Sequence, residues 1–222
     1  MLKLKGKYMS ILGDSISTLK GVSDCIESNA TIGANPYFYH QGEFPLEKTY
    51  WERILKAFDI RLCVNNSWSG GNLSGVDDFS AGVNRAEHLS RDDGTSPDLI
   101  IIFIGINDLG RGVDISVFSA DYEKTLNKIK TKYPEAKVCC VNLPDRGYLK
   151  KRTEAFNNAI ADAVMKAGAE NNNFFVADLY HSILNNDFYY MNTVDGLHPD
   201  EDGMKIIADV IEEAIKEYYL RS

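Results

Sequence analysis

The chain predicts an α/β protein, a three-layer α/β/α sandwich built on a flavodoxin-like five-stranded parallel sheet. Short apolar runs alternate with longer segments of helical period. The run Leu99-Ile100-Ile101-Ile102-Phe103-Ile104 has no polar alternation. Such a strand is buried on both faces, as at the centre of a parallel sheet. No Pro/Gly/Ser-rich linker interrupts the 222 residues, so one domain over 1–222 is expected.

The elements follow in order. Tyr8 to Leu12 reads as the first strand. Leu46 to Phe58 is a helix with Trp51, Ile54, Leu55 and Phe58 on one face, which places Trp51 in the core. Arg61 to Val64 is a short second strand, and Asp98 to Ile104 the strongest one. Ser116 to Tyr133 is a helix that stops before Pro134, because proline disfavours helical geometry at the residue preceding it. Lys137 to Leu143 and Phe174 to Leu179 are the fourth and fifth strands, with a helix over Thr153 to Ala169 between them. An amphipathic helix over Glu201 to Tyr219 closes the fold.

Composition narrows the function. Lys and Arg number 24 against 32 Asp and Glu, a formal charge of -8. Such a chain is repelled by nucleic acid and anionic lipid unless it carries a basic patch. The one basic cluster, Lys150-Lys151-Arg152, reads as a solvated helix start. The cysteines Cys25, Cys63, Cys139 and Cys140 make no C-x-x-C pair and have no zinc-ligand spacing, so buried free thiols are expected. No apolar run reaches membrane-spanning length, and the first residues lack a signal core. A soluble cytoplasmic protein is the expectation, with no nucleic-acid partner and no stable membrane insertion. There is no G-x-G-x-x-G, no G-x-x-x-x-G-K-[ST] and no G-x-S-x-G.

In open α/β sheets ligands bind beyond the carboxyl ends of the strands, and polar groups collect there. Gly13-Asp14-Ser15-Ile16-Ser17 follows the first strand, and a helix after it would aim backbone N–H groups and a positive dipole end at the Ser15 hydroxyl. Asn65-Asn66-Ser67-Trp68-Ser69-Gly70-Gly71-Asn72 follows the second strand, with glycines that allow close backbone approach. Gly105-Ile106-Asn107-Asp108 follows the third and offers a side-chain amide for an oxyanion. Asp195-Gly196-Leu197-His198-Pro199 lies after the fifth, with a spacing that lets the carboxylate reach back to the imidazole. Taken singly, each segment also fits a cap or an ordinary polar turn. Together they supply a nucleophile, a base, its orienting acid and oxyanion donors, the parts needed for acyl transfer.

The four segments resemble the motif blocks of the SGNH (GDSL-type) hydrolases, in family order from Gly13 to His198. The resemblance implies Ser15 as nucleophile, Gly70 as an oxyanion-hole N–H, Asn107 as side-chain oxyanion donor, His198 as base and Asp195 as its partner. Ser67 stands where many members have glycine, and Gly71 offers a second glycine N–H one residue beyond Gly70. The reaction implied is hydrolysis of carboxylic esters through an acyl-enzyme, with no cofactor and no metal. The expected partner is a small-molecule or carbohydrate ester, such as an O-acetyl group on a sugar. Longer acyl chains, as in a lysophospholipase or thioesterase, form one alternative. Another is metal-dependent phosphoester hydrolysis with Asp14, Asp108, Asp195 and His198 as ligands.

Asp14 and Asp108 are expected to make structural hydrogen bonds, Asp178 to cap a turn and Arg111 to form a salt bridge. His40, His88 and His181 have no partner fixed by spacing. Tyr37-Phe38-Tyr39-His40 is too aromatic for a plain linker, so it reads as an apolar or sugar-stacking wall, or as loop packing. Trp68 beside the glycine turn is divided between packing and substrate contact.

Overall fold

The computed structural model describes residues 4–22, 37–76, 78–145, 148–183 and 192–221. Cys25 and the rest of the segment 23–36 lie outside the described residues. Seven strands are present among the described residues: β1 (Tyr8–Gly13), β2 (Leu19–Lys20), β3 (Tyr39–His40), β4 (Arg61–Ser67), β5 (Leu99–Phe103), β6 (Lys137–Val141) and β7 (Phe174–Ala177). The helices are α1 (Tyr50–Phe58), α2 (Gly82–Arg85), α3 (Ile106–Arg111), α4 (Ile115–Lys132), α5 (Lys150–Gly168), α6 (Leu179–Ile183) and α7 (Glu201–Arg221). The main sheet has five strands in the order β4-β1-β5-β6-β7, and every pairing is parallel. The strand order reverses at β1, so the chain winds outward from it in both directions. α1 packs against α7, while α4 packs against α5 and α2. Right-handed crossovers on the two sides of β1 place these groups on opposite faces of the sheet.

Burial follows the sequence pattern. β5 is buried throughout, and the neighbouring Cys139 and Cys140 of β6 are both buried free thiols because each face of the sheet is covered. Trp51 is enclosed in the core with Tyr50 and Ile54. Among the described residues no helix is long and apolar enough to cross a membrane. Several boundaries differ from the sequence reading. β4 continues to Ser67, so Asn65, Asn66 and Ser67 belong to the strand rather than to a turn after it. β7 ends at Ala177 because Asp178 caps the short helix α6, accepting the His181 N–H at 3.1 Å. The expected helix after β1 is a single 3-10 turn, Ser15–Ser17. That is too short to sum peptide dipoles, so the Ser15 segment has no macrodipole to draw on. Arg152 is not simply solvated, because it donates to the Leu109 carbonyl at 3.2 Å and also to that of Val113.

The carboxyl ends of β1, β4 and β5 are brought level. Gly13 pairs with Ser67 on one side and with Phe103 on the other. An irregularity between Met9 and Ile11 sets this register, with an extra residue on the β4 side. The Ser10 hydroxyl fills the gap, accepting from Val64 N–H at 3.2 Å and donating to Leu89 O at 2.8 Å. Gly13 must be glycine, since a Cβ there would lie 2.5 Å from Ser17 Oγ and 2.7 Å from Ser67 Oγ. Arg85 is buried and clamps the strand ends, donating to Gly13 O at 2.9 Å, to Ser80 O at 2.8 Å and to Asn66 O.

Two stability predictions follow from this packing. Ile101→Ala at the centre of β5 should lower unfolding free energy by about 2–5 kcal/mol in urea titrations, the cost of an unfilled core site. The second concerns Asp14, whose side chain accepts the Ile16 N–H at 3.0 Å. Burial pushes its carboxyl up from 3.8 to about 7, helped by the charge of Asp108 and opposed by the Ile16 N–H and the charge of Arg85. Between those values the unfolded chain has released the proton while the folded chain keeps it, so stability falls as pH rises. The penalty is absent below about 4 and complete above about 7. Asp14→Asn keeps the acceptor without the charge. Relative to the parent it should be more stable at pH 8 than at pH 5 by urea unfolding.

Candidate active site

The turn after β1 is held from several sides. Ser17 Oγ shares a 2.7 Å hydrogen bond with Tyr50 OH on α1, and the Asn65 side-chain amide donates to Ser17 O at 2.9 Å. Ser67 Oγ donates to Asn65 Oδ1 at 2.6 Å, which fixes the orientation of that amide. Ser15 is therefore a residue on a braced turn rather than in a free loop. It is only 3% exposed.

The Asp195–His198 loop approaches from the other end of the chain. A bridge between Thr193 and Pro199 closes it, and the Val194 N–H donates to His198 O at 2.9 Å. Asp195 Oδ1 accepts the N–H groups of Leu197 at 3.0 Å and His198 at 2.8 Å, while Oδ2 lies 2.8 Å from His198 Nδ1. Burial works to raise the Asp195 carboxyl, but the His198 N–H, the His198 ring, its charge and the Leu197 N–H outweigh it and hold the acid below its ordinary value. An ionised carboxylate can only accept, so His198 Nδ1 carries the proton. That leaves the Nε2 lone pair facing Ser15 Oγ at 2.8 Å. The hydroxyl, imidazole and carboxylate form one hydrogen-bonded chain.

Beside it stand α3 and the glycine turn after β4. Asn107 is on the first turn of α3, and its amide donates to Gly71 O at 3.0 Å. One amide hydrogen is thus engaged and a second is available. Arg111, one turn further along the same face, donates to Gly70 O and to Asn72 Oδ1, each at 2.7 Å. The expected salt bridge is not what Arg111 makes; its partners are a carbonyl and an amide. Asp108 is buried, with its oxygens accepting Leu73 N–H at 2.7 Å and Ser74 N–H at 2.9 Å. Burial raises its carboxyl, against the pull of those two N–H groups. Gly70 and Gly71 differ. The Gly71 N–H is spent on Trp68 O at 3.0 Å, whereas Gly70, at φ +74°, donates its N–H to no atom among the described residues. The Ser15 N–H is likewise unspent among the described residues.

Five sequence candidates, Ser15, Gly70, Asn107, Asp195 and His198, thus fall on one edge of the sheet. The metal-ligand set does not assemble. Asp14 and Asp108 are bound to backbone amides, and among the described residues no three His, Cys, Asp or Glu side chains converge as ligands. Trp68 is buried, packed with Tyr37 and edge-on to Phe79 at 5.3 Å. His181, without a partner on spacing grounds, pairs its Nδ1 with Asp178 Oδ2 at 2.7 Å. This pair repeats the D-x-x-H spacing seventeen residues before Asp195 and was visible in the sequence. The aromatic run in the sequence includes Phe38 but does not show which ring it covers. The Phe38 ring lies flat on His198, with centroids 3.4 Å apart and planes 9° apart.

Comparisons place this geometry among known folds. A structure described as a GDSL-like lipase from Bacteroides ovatus superposes with a TM-score of 0.71 at 22% identity, over 96% of this chain and 99% of that one. The psychrotrophic esterase EstA from Pseudoalteromonas sp. gives 0.64 at 18% identity, over 97% of this chain and 100% of that one. A carbohydrate esterase of family 3 from Talaromyces cellulolyticus gives 0.66 at 18% identity, over 97% and 99%. These share the doubly wound α/β sheet. Comparison with curated proteins gives no match. The model of the GDSL-like Lipase/Acylhydrolase family matches residues 11–206, a span that takes in all four strand-end segments. The chain belongs to the GDSL-like lipase/acylhydrolase family.

Proposed function

We propose that the protein is a serine esterase that hydrolyses carboxylic esters through an acyl-enzyme on Ser15. The observation that carries this reading is the 2.8 Å contact between His198 Nε2 and Ser15 Oγ, backed by the Asp195 carboxylate at 2.8 Å on the other ring nitrogen. Ser15 Oγ attacks the acyl carbon while His198 takes its proton, and Asp195 stabilises the imidazolium that forms. The negative charge on the carbonyl oxygen is received by the unspent N–H groups of Ser15 and Gly70 and by the free amide hydrogen of Asn107. Register supports this convergence, because the three donors follow strand ends that lie level at Gly13, Ser67 and Phe103. His198 then protonates the leaving alcohol, and water repeats the cycle on the acyl-enzyme.

Family membership supports ester hydrolysis in general. For the substrate we favour short acyl groups, including O-acetyl groups on carbohydrate, in keeping with the fold shared with a carbohydrate esterase and with an acetyl esterase solved with acetate. The EstA neighbour was solved in a form inhibited by monoethylphosphonate, the kind of reagent an activated serine hydroxyl would capture.

Asn107→Ala should lose about two to three decades in kcat on p-nitrophenyl acetate, the cost of one oxyanion donor. An unchanged kcat in folded protein would remove Asn107 from the hole. Rates along a series from acetyl to octanoyl esters should fall with chain length. A maximum at the long esters would instead favour a lysophospholipase or thioesterase.

A further inference from the structure

The aromatic segment around Phe38 packs against the Asp195–His198 loop. Phe38 stacks on one face of His198, and its own N–H donates to Thr18 Oγ1 at 2.9 Å. Thr18 in turn donates that hydroxyl to Ser15 O at 2.9 Å. Tyr39 donates to Pro199 O at 2.6 Å and turns its edge to the imidazole, with centroids 6.4 Å apart. β2 and β3 pair Leu19 with Tyr39 and tie the segment to the turn that carries Ser15. Tyr37 packs on Trp68, on the side of the glycine turn. The aromatic strap thus spans from the oxyanion side to the base.

An imidazole held at both nitrogens by in-plane hydrogen bonds can still roll about the line joining them. A flat ring against its face removes that freedom. The restraint matters most after acylation. Ser15 Oγ is then bonded to the acyl carbon, has no proton to donate, and no longer tethers Nε2. Asp195 and the stacked ring remain in place to hold the base.

We infer that Phe38 is a positioning residue that holds His198 in register for deacylation, an inference that rests on the esterase reading above. In that step water oxygen bonds to the acyl carbon as its proton passes to His198 Nε2. The bond from the acyl carbon to Ser15 Oγ then breaks, its electron pair stays on Oγ, and His198 returns the proton there. The carboxylic acid leaves. As the imidazolium forms, its charge meets the electron-rich face of the Phe38 ring, so the contact strengthens when the base is working.

The test compares Phe38→Leu, Phe38→Tyr and Ser15→Ala on p-nitrophenyl acetate, after circular dichroism has shown each to be folded. Phe38→Leu should lower kcat about tenfold. Slowing only the second step lowers KM with kcat, so kcat/KM should change less than about threefold, and a burst of p-nitrophenol should appear. Phe38→Tyr, which restores a flat ring, should return kcat to within about threefold of the parent. Phe38→Leu with parental kcat, an equal fall in kcat and kcat/KM, or a folded Phe38→Tyr as slow as Phe38→Leu would each overturn the inference. Activity persisting in Ser15→Ala would instead overturn the esterase reading itself, so the two failures are distinguishable.

Discussion

The 2.8 Å hydrogen bond from Ser15 Oγ to His198 Nε2 joins residues 183 apart in the chain, and the surrounding structure holds its two ends in place. On the serine side the constraint begins in the sheet. β1 lies inside the sheet between β4 and β5, Gly13 allows Ser17 and Ser67 to close over its end, and Tyr50 and Asn65 brace the turn that follows. On the histidine side Asp195 folds its own loop by accepting two N–H groups with one oxygen and the imidazole with the other. One carboxylate thus shapes the loop, selects the tautomer and lends charge to the base. The fold positions the proposed site at the carboxyl ends of the strands, where sheet geometry is rigid and side chains can meet a ligand.

The proposed oxyanion side is organised by the same economy. Asp108 holds the backbone after the glycine turn through Leu73 and Ser74, while Asn107 and Arg111 grip the carbonyls of Gly71 and Gly70. The turn is therefore locked to α3 at several points. Donors fixed before charge develops need no rearrangement when it does, which is the basis of their catalytic value. Arg111 contributes through this grip, and its guanidinium meets neutral partners rather than a carboxylate.

Much of this was legible in the residues. The unbroken apolar run of β5 announces a strand covered on both faces, and the helical period of α1 announces which side of Trp51 is buried. The candidate site was legible because the blocks after β1, β4 and β5 carry residue types that acyl transfer requires, and because parallel strands bring their carboxyl ends to one edge. What escaped reading depends on contacts between distant segments. α3 is too short to show a period, and the two-residue strands β2 and β3 exist only through each other. Arg85 is buried by carbonyls from β1 and β4 that no local pattern announces. The D-x-x-H spacing occurs at both Asp178 and Asp195 and makes the same ring contact in each. The spacing builds the pair, but only the strand-end position of Ser15 gives one of them a hydroxyl to activate. Phe38 belongs to the same class, since an aromatic run signals a wall but not which ring it covers.

The central claim is that Ser15 is a nucleophile activated by its neighbours rather than a buried cap. Incubation with a fluorophosphonate, followed by peptide mass mapping, addresses this most directly. The account predicts a single stoichiometric adduct on Ser15, formed slowly or not at all when His198 is replaced by alanine. An unmodified Ser15 in folded, ester-hydrolysing protein would contradict it.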